Sequence, residues 1–258
     1  MLQELINELT ATLAQCSTPQ AATLTRVRIE ALENRECDWT PNEYHHVLRD
    51  QVGEHCVTWR VAADGIRVLG EAGEPRRTKG APSTLGRIFA TFGHEIGIYS
   101  EAFQVDARTI AAVIATESGG KPTAERAEPQ IHDVSIGLMQ TLTNTAKGVA
   151  PFAIKRMNDI AGDAVRLAGP SVPKGGDLKQ WRELLSQPRV SILLGTALLA
   201  SIDEHFGCKG DPILMYAAFN AGSPRPSSRT PWGLVYYGSA LDSFSRWYGD
   251  ACAVVTGG

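Results

Sequence analysis

Glu117 is the residue whose type and position say most about chemistry. The segment from Asp106 to Ser118 sets Ile110, Val113, Ile114 and Glu117 at offsets that fall on one helical face, with Asp106 placed to cap the start and Gly119 and Gly120 to end it. A carboxylate therefore closes an apolar stripe. Desolvation and the negative end of the helix dipole both disfavour its charge, so the pKa expected there is raised. A carboxyl that keeps its proton near neutral pH is a general acid for a glycosidic oxygen. Periodicity alone favours a plainer account, in which Glu117 hydrogen-bonds its helix terminus or points to solvent.

What changes the balance is the company Glu117 keeps. ATESGG (115–120) is followed by SIGLMQTLTNTA (135–146) and then by AAFNAGS (217–223). Taken singly, GLMQ reads as a core turn and NAG as a helix stop. In this order they resemble the lytic transglycosylase and goose-type lysozyme superfamily, that is, an SLT-like domain. Its members carry a Glu-Ser pair, a Gly-Leu-Met-Gln motif followed by a Thr-Ala helix, and an Ala-Tyr-Asn-Ala-Gly motif. The resemblance covers roughly residues 90 to 250 and is silent on 1–84.

The resemblance implies an enzyme that cleaves the β-1,4 bond between N-acetylmuramic acid and N-acetylglucosamine in peptidoglycan. Glu117 matches the acid that protonates the bridging oxygen and then, as a base, removes the proton of the muramoyl C6 hydroxyl. The product is a 1,6-anhydro sugar, and no water is consumed. Met139 and Gln140 match residues lining the sugar groove, and Ser118 and Ser135 sit beside the acid in the family pattern. Asn220 matches an amide that hydrogen-bonds substrate, a use that suits a group able both to donate and to accept. Gly137 and Gly222 serve backbone geometry.

The chain also departs from the family pattern. Phe219 stands where a Tyr is usual, which keeps stacking on a sugar face and loses a hydroxyl contact. A family Tyr that hydrogen-bonds the acid is supplied by Tyr236 or Tyr237 in WGLVYYGSA, with Tyr237 ranked slightly ahead. Thr141 replaces the Asp that goose-type lysozymes are thought to use for positioning water, which leans toward transglycosylation. Glu125, Glu128, His132 and Asp133 lie between the first two motifs. Of these, Asp133 and Glu128 are the candidate second carboxylates, against the simpler account of a solvated loop. Hydrolysis by an inverting route stays open.

These residues need a scaffold, and the expected fold class is mainly α: a lysozyme-like helical catalytic domain over 85–258, preceded by a small α+β accessory region over 1–84. In the accessory region, residues 2–15 and 21–34 carry helical spacing, and CVTWRVAADGIRVLGE alternates around Asp64-Gly65, the signal of a β-hairpin. EAGEPRRTKGAPS then reads as a linker, and the Arg76, Arg77, Lys79 cluster within it as a solvated turn. Farther on, VSILLGTALLASIDEHFG predicts a helix ending at Gly207, DPILMYAAFNAG one ending at Gly222, and SALDSFSRWYGDA a terminal helix. Between 147 and 187, LAGPSVPKGGD marks an inserted loop flanked by short helices.

Composition bounds the alternatives. A net charge of −3 over 258 residues offers no electrostatic basis for binding nucleic acid. Five scattered cysteines (Cys16, Cys37, Cys56, Cys208, Cys252) form no disulfide framework, and with His45, His46 and His55 they match no zinc-finger or ribbon spacing. No cofactor and no metal are called for. The first residues read as an amphipathic helix without a basic n-region, and no run is long enough to span a membrane, so neither a signal peptide nor a membrane anchor is expected. That combination suggests a phage-type endolysin, bacteriolytic, made in the cytoplasm and acting on the cell wall in the periplasm. Its delivery would depend on a separate holin or a tail assembly. The competing class is a structural, peptidoglycan-binding part of a tail or secretion machine; retention of both Glu117 and Asn220 argues against it. Trp39, Trp59 and Tyr44 are candidates for a sugar-stacking surface, with core packing the simpler account.

Overall fold

The computed structural model describes residues 44–49, 56–68, 73–161, 177–208, 210–223, 234–235 and 238–256. The helices expected over 2–15 and 21–34, Cys16, Cys37, Trp39, His55, Tyr236, Tyr237 and most of the LAGPSVPKGGD stretch lie outside them. Among the described residues the chain is mainly helical, with seven α-helices and two small sheets, as a lysozyme-like fold requires. No single described helix is long and apolar enough to cross a membrane. The chain groups into two units, residues 82–201 and residues 1–81 with 202–258. The sequence suggested one cut near residue 84; the grouping is discontinuous, with the last stretch of the chain joining the first.

In the unit of residues 82–201, helix α1 (Ser83–Phe103) buries Leu85, Ile88, Phe92, Ile96, Tyr99 and Phe103, a three-and-four spacing that makes one apolar face. It stops at Gln104, whose left-handed φ of 57° breaks the helix. Asp106 then opens α2 (Ala107–Ser118) by accepting the Arg108 N–H at 2.9 Å. Sequence spacing suggested a helix with one apolar face, but every residue from Thr109 to Ala115 is buried. The small Ala111, Ala112 and Ala115 let neighbouring elements close over the remaining faces. Burial ends at Thr116, so Glu117 sits where the helix emerges.

Between α2 and the next helix the sequence suggested only a loop. The structure has instead a three-stranded antiparallel sheet, β4 (Glu125–Glu128), β5 (Asp133–Ile136) and β6 (Thr141–Leu142), in the order β4-β5-β6. These strands are too short, and β4 (ERAE) too charged, to give a period-2 signal. Helix α3 (Thr143–Ala161), longer than the short helix expected, follows directly, then α4 (Leu178–Leu185), capped by Asp177, and α5 (Pro188–Phe206).

The other unit holds the expected hairpin. Strands β1 (Tyr44–Arg49), β2 (Cys56–Ala62) and β3 (Gly65–Val68) pair antiparallel, and β7 (Leu234–Val235) adds to β1 in parallel. The turn falls on Ala63 and Asp64, and Gly65 already pairs with Ala62. Gly65 has φ of 141°, and a Cβ there would lie 2.8 Å from Pro75 Cβ, so both its backbone conformation and the approach of Pro75 demand a glycine.

The stretch read as a linker is pinned to the terminal helix α7 (Gly238–Thr256). Arg76 pairs with Asp242, Thr78 N–H donates to Asp250 Oδ1 at 3.2 Å, and the Arg76 N–H donates to the Ile66 carbonyl at 2.7 Å. Arg77 and Lys79 are exposed, as a solvated turn requires, but only 11% of the Arg76 side chain is exposed, so that one member of the cluster is seated on the helix instead. Helix α6 (Pro212–Ala221) is capped by Asp211, and its Tyr216 stacks on Phe244 of α7 with ring centroids 4.4 Å apart.

The pinning gives a test. A Cβ on Gly249 of α7 would lie 1.9 Å from the Arg76 carbonyl oxygen, so Gly249→Ala must push a backbone segment away. We expect a cost of about 1–3 kcal/mol, seen as a lower thermal midpoint by calorimetry, with Gly86→Ala, a helical position with open space at that Cβ, as the clash-free control that should not lower it.

Candidate active site

The site is built around the last turn of α2. Gly119 takes the left-handed conformation there (φ 62°) and returns its N–H to the Ala115 carbonyl, ending the helix two residues after Glu117. The half-buried Glu117 is thus presented on a rigid terminus. Ser118 ties that terminus to the rest of the unit. Its hydroxyl lies 2.7 Å from the Leu138 carbonyl and 3.0 Å from the Ile114 carbonyl, and accepts the Gly120 N–H at 3.2 Å. From α1, Arg87 Nη2 donates to the Gly119 carbonyl at 2.9 Å.

Leu138 belongs to the turn Gly137–Gln140, which packing holds from several sides. Gly137 has φ of 82°, and a Cβ there would lie 2.1 Å from the Leu185 carbonyl of α4 and 2.7 Å from Ser191 Oγ of α5. The Met139 N–H donates to that same Ser191 Oγ at 3.2 Å. Met139 has 0% exposure, and a Cβ on Gly195 would strike its sulfur. Its side chain is therefore interior packing. Gln140 is half-buried with φ of 46°, a left-handed conformation that costs a non-glycine residue about 1–2 kcal/mol. Its side-chain nitrogen offsets that cost by donating to the carbonyls of Ala124 (2.8 Å) and Gly137 (3.0 Å), which fastens the turn to the entry of β4.

The acids between the motifs are all engaged. Asp133, 7% exposed, accepts the N–H groups of Val134 (2.8 Å), Thr143 (3.2 Å) and Asn144 (3.1 Å) and the Thr143 hydroxyl, so it caps α3 from across the sheet. Burial works against its charge, but the Thr143 hydroxyl and these N–H donors outweigh it and hold the carboxyl below its ordinary pKa. Glu128 accepts from Arg126 (2.5 Å), Gln130 (2.9 Å) and the Ser135 hydroxyl, with the Arg126 bond the main cause of its lowered pKa. Ser135, 3% exposed, is thus committed to Glu128. Glu125 pairs with Arg182 of α4 at 2.7 Å. Thr141, where a water-positioning Asp would stand in goose-type lysozymes, is 2% exposed.

Phe219 and Asn220 belong to the other unit, at the C-terminal turn of α6, which Gly222 ends at φ 79°. Phe219 is half-buried and Asn220 exposed. Tyr236 and Tyr237 lie outside the described residues. Sequence reasoning passed over Arg87, Ser191 and Leu185, each far along the chain from the residue it supports; only proximity in space reveals them. The capping role of Asp133 was likewise hidden, because ten residues separate it from Thr143.

The cap is open to measurement. Since the folded pKa of Asp133 lies below its unfolded value, its stabilisation is complete above the ordinary carboxylate range and is lost as pH falls through the folded value. Asp133→Asn should cost about 1–2 kcal/mol at neutral pH, and its denaturation curves should converge with wild type on acidification.

Residues 95–162 match the family model of the transglycosylase SLT domain, about a quarter of the chain that includes Glu117 and the Gly137–Gln140 turn. No curated protein matches the chain.

Proposed function

From the transglycosylase SLT domain of residues 95–162, which supports assignment to the lytic transglycosylase and lysozyme-like superfamily and peptidoglycan cleavage in general, we propose a specific course for the reaction. Protonated Glu117 gives its proton to the oxygen between N-acetylmuramic acid and N-acetylglucosamine as the C1–O bond breaks. The resulting carboxylate then takes the proton of the muramoyl C6 hydroxyl, whose oxygen closes on C1. The balance is complete without water: one glycosidic bond is exchanged for the 1,6-anhydro bond, and the acid regains its proton.

One observation carries this reading. The other carboxylates beside the two motifs, Glu125, Glu128 and Asp133, are tied up in an ion pair, a three-donor cluster and a helix cap. An inverting hydrolase needs a second carboxylate to activate water, and carboxyls held below their usual pKa by structural donors, as those of Glu128 and Asp133 are, make poor bases. The interior position of Thr141 points the same way. We further propose Gln140, Phe219, Asn220 and one of Tyr236 and Tyr237 as substrate contacts, with Ser118 positioning the acid.

The protein incubated with peptidoglycan should release anhydro-muropeptides, identified by mass. Products ending only in reducing muramic acid would assign hydrolysis instead. Glu117→Gln keeps the shape and removes the titrating proton, and should lower turnover by at least about two to four orders of magnitude; full activity in that variant would sink the mechanism.

A further inference from the structure

Within the unit of residues 82–201, on the flank of the helix end that carries Glu117, helix α1 and the Gly120–Pro122 turn enclose a pocket of about 340 Å³. Its floor is apolar: Ile88 is 0% exposed and Phe92 8%, with Pro122 closing one side. The rim is cationic, formed by the exposed side chains of Arg87 and Lys121, and no acidic residue lines it. Arg87 spends one N–H on the Gly119 carbonyl, which fixes the guanidinium at the rim and leaves its remaining donors for a ligand. Gly120 keeps the pocket open toward α1. Its φ of 81° suits glycine, and a Cβ there would come within 3.0 Å of Ile88 Cγ1.

An apolar floor under a cationic rim suits a ligand that joins a carboxylate to a small apolar group. A sugar ring would leave hydroxyls unpaired against Ile88 and Phe92, which disfavours a glycan there. We propose that this pocket takes the acidic stem peptide that peptidoglycan carries on its muramic acid, a carboxylate meeting Arg87 and Lys121 and an alanine-sized side chain resting on Ile88 and Phe92. This rests on the reading of Glu117 as the acid of glycan cleavage, because the stem branches from the muramic acid whose bond is cut. The pocket begins three residues beyond Glu117, so a glycan cut there would carry its stem nearby.

The test compares peptide-bearing glycan strands with strands stripped of stems by an amidase. Lys121→Glu reverses the rim charge, and Thr91→Trp fills the pocket from an exposed position on α1. Each should raise KM on peptide-bearing strands by roughly fivefold, with kcat kept and stripped strands cleaved as by wild type. Equal losses on both substrates, or no change on either, would overturn the proposal. Independently of turnover, free stem tripeptide titrated into 15N-labelled protein should shift the amides of Thr91, Phe92, Gly120 and Lys121 saturably, and fail to do so in Lys121→Glu. Absence of those shifts in wild type also overturns it. Shifts in a protein that releases no cleavage product would retain the pocket and reject the catalytic reading, so the two failures are told apart.

Discussion

The hydroxyl of Ser118, held 2.7 Å from the Leu138 carbonyl, joins the end of one helix to a turn twenty residues away, and the geometry around Glu117 follows from that bond. From Thr109 through Ala115 helix α2 is buried on all sides, so a charge has no place along that stretch. At the last turn the chain must leave the core, and a fraying terminus would leave the carboxyl without a fixed direction. Ser118 on one side and Arg87 on the Gly119 carbonyl on the other remove that freedom. A proton donor gains from such rigidity, because proton transfer depends on tenths of an ångström.

The turn that receives Ser118 is itself over-determined. Gly137 lies against the Leu185 carbonyl and leaves no room for a Cβ beside the Ser191 hydroxyl, Met139 lies against Gly195, and the Met139 N–H donates to that same hydroxyl. Helix α4, which supplies that carbonyl, is in turn tied to β4 by Arg182 and Glu125. A left-handed Gln140 persists because its own amide bonds two carbonyls. The GLMQ phrase is therefore first a packing device. Two of its three side chains, Leu138 and Met139, have no exposed surface.

The acids tell a similar story. Asp133, Glu128 and Glu125 all lie in what the sequence read as a loop, yet each holds a different piece of the scaffold: a helix start, a strand end, and a helix-to-strand pairing. In the other unit, Arg76, Thr78 and Gly249 do for the chain segment after the hairpin what Asp133 does for α3, fixing a connection by contacts remote in sequence.

Local rules therefore carried far for this chain. Helix periodicity, capping residues and terminal glycines located α2, α5, α6 and α7, and the alternation around Asp64-Gly65 located the hairpin, because each depends on residues within a turn or two of one another. Motif order singled out Glu117 and the turn beside it as candidates. The tertiary structure alone decided that α2 is enclosed, that ERAE and DVSI pair as strands, that Asp133 caps a helix, that Met139 points inward, and that the Arg-rich linker is seated on α7. Each of these outcomes depends on a partner distant along the chain or on the volume left by neighbouring side chains. Spacing within a single segment contains neither.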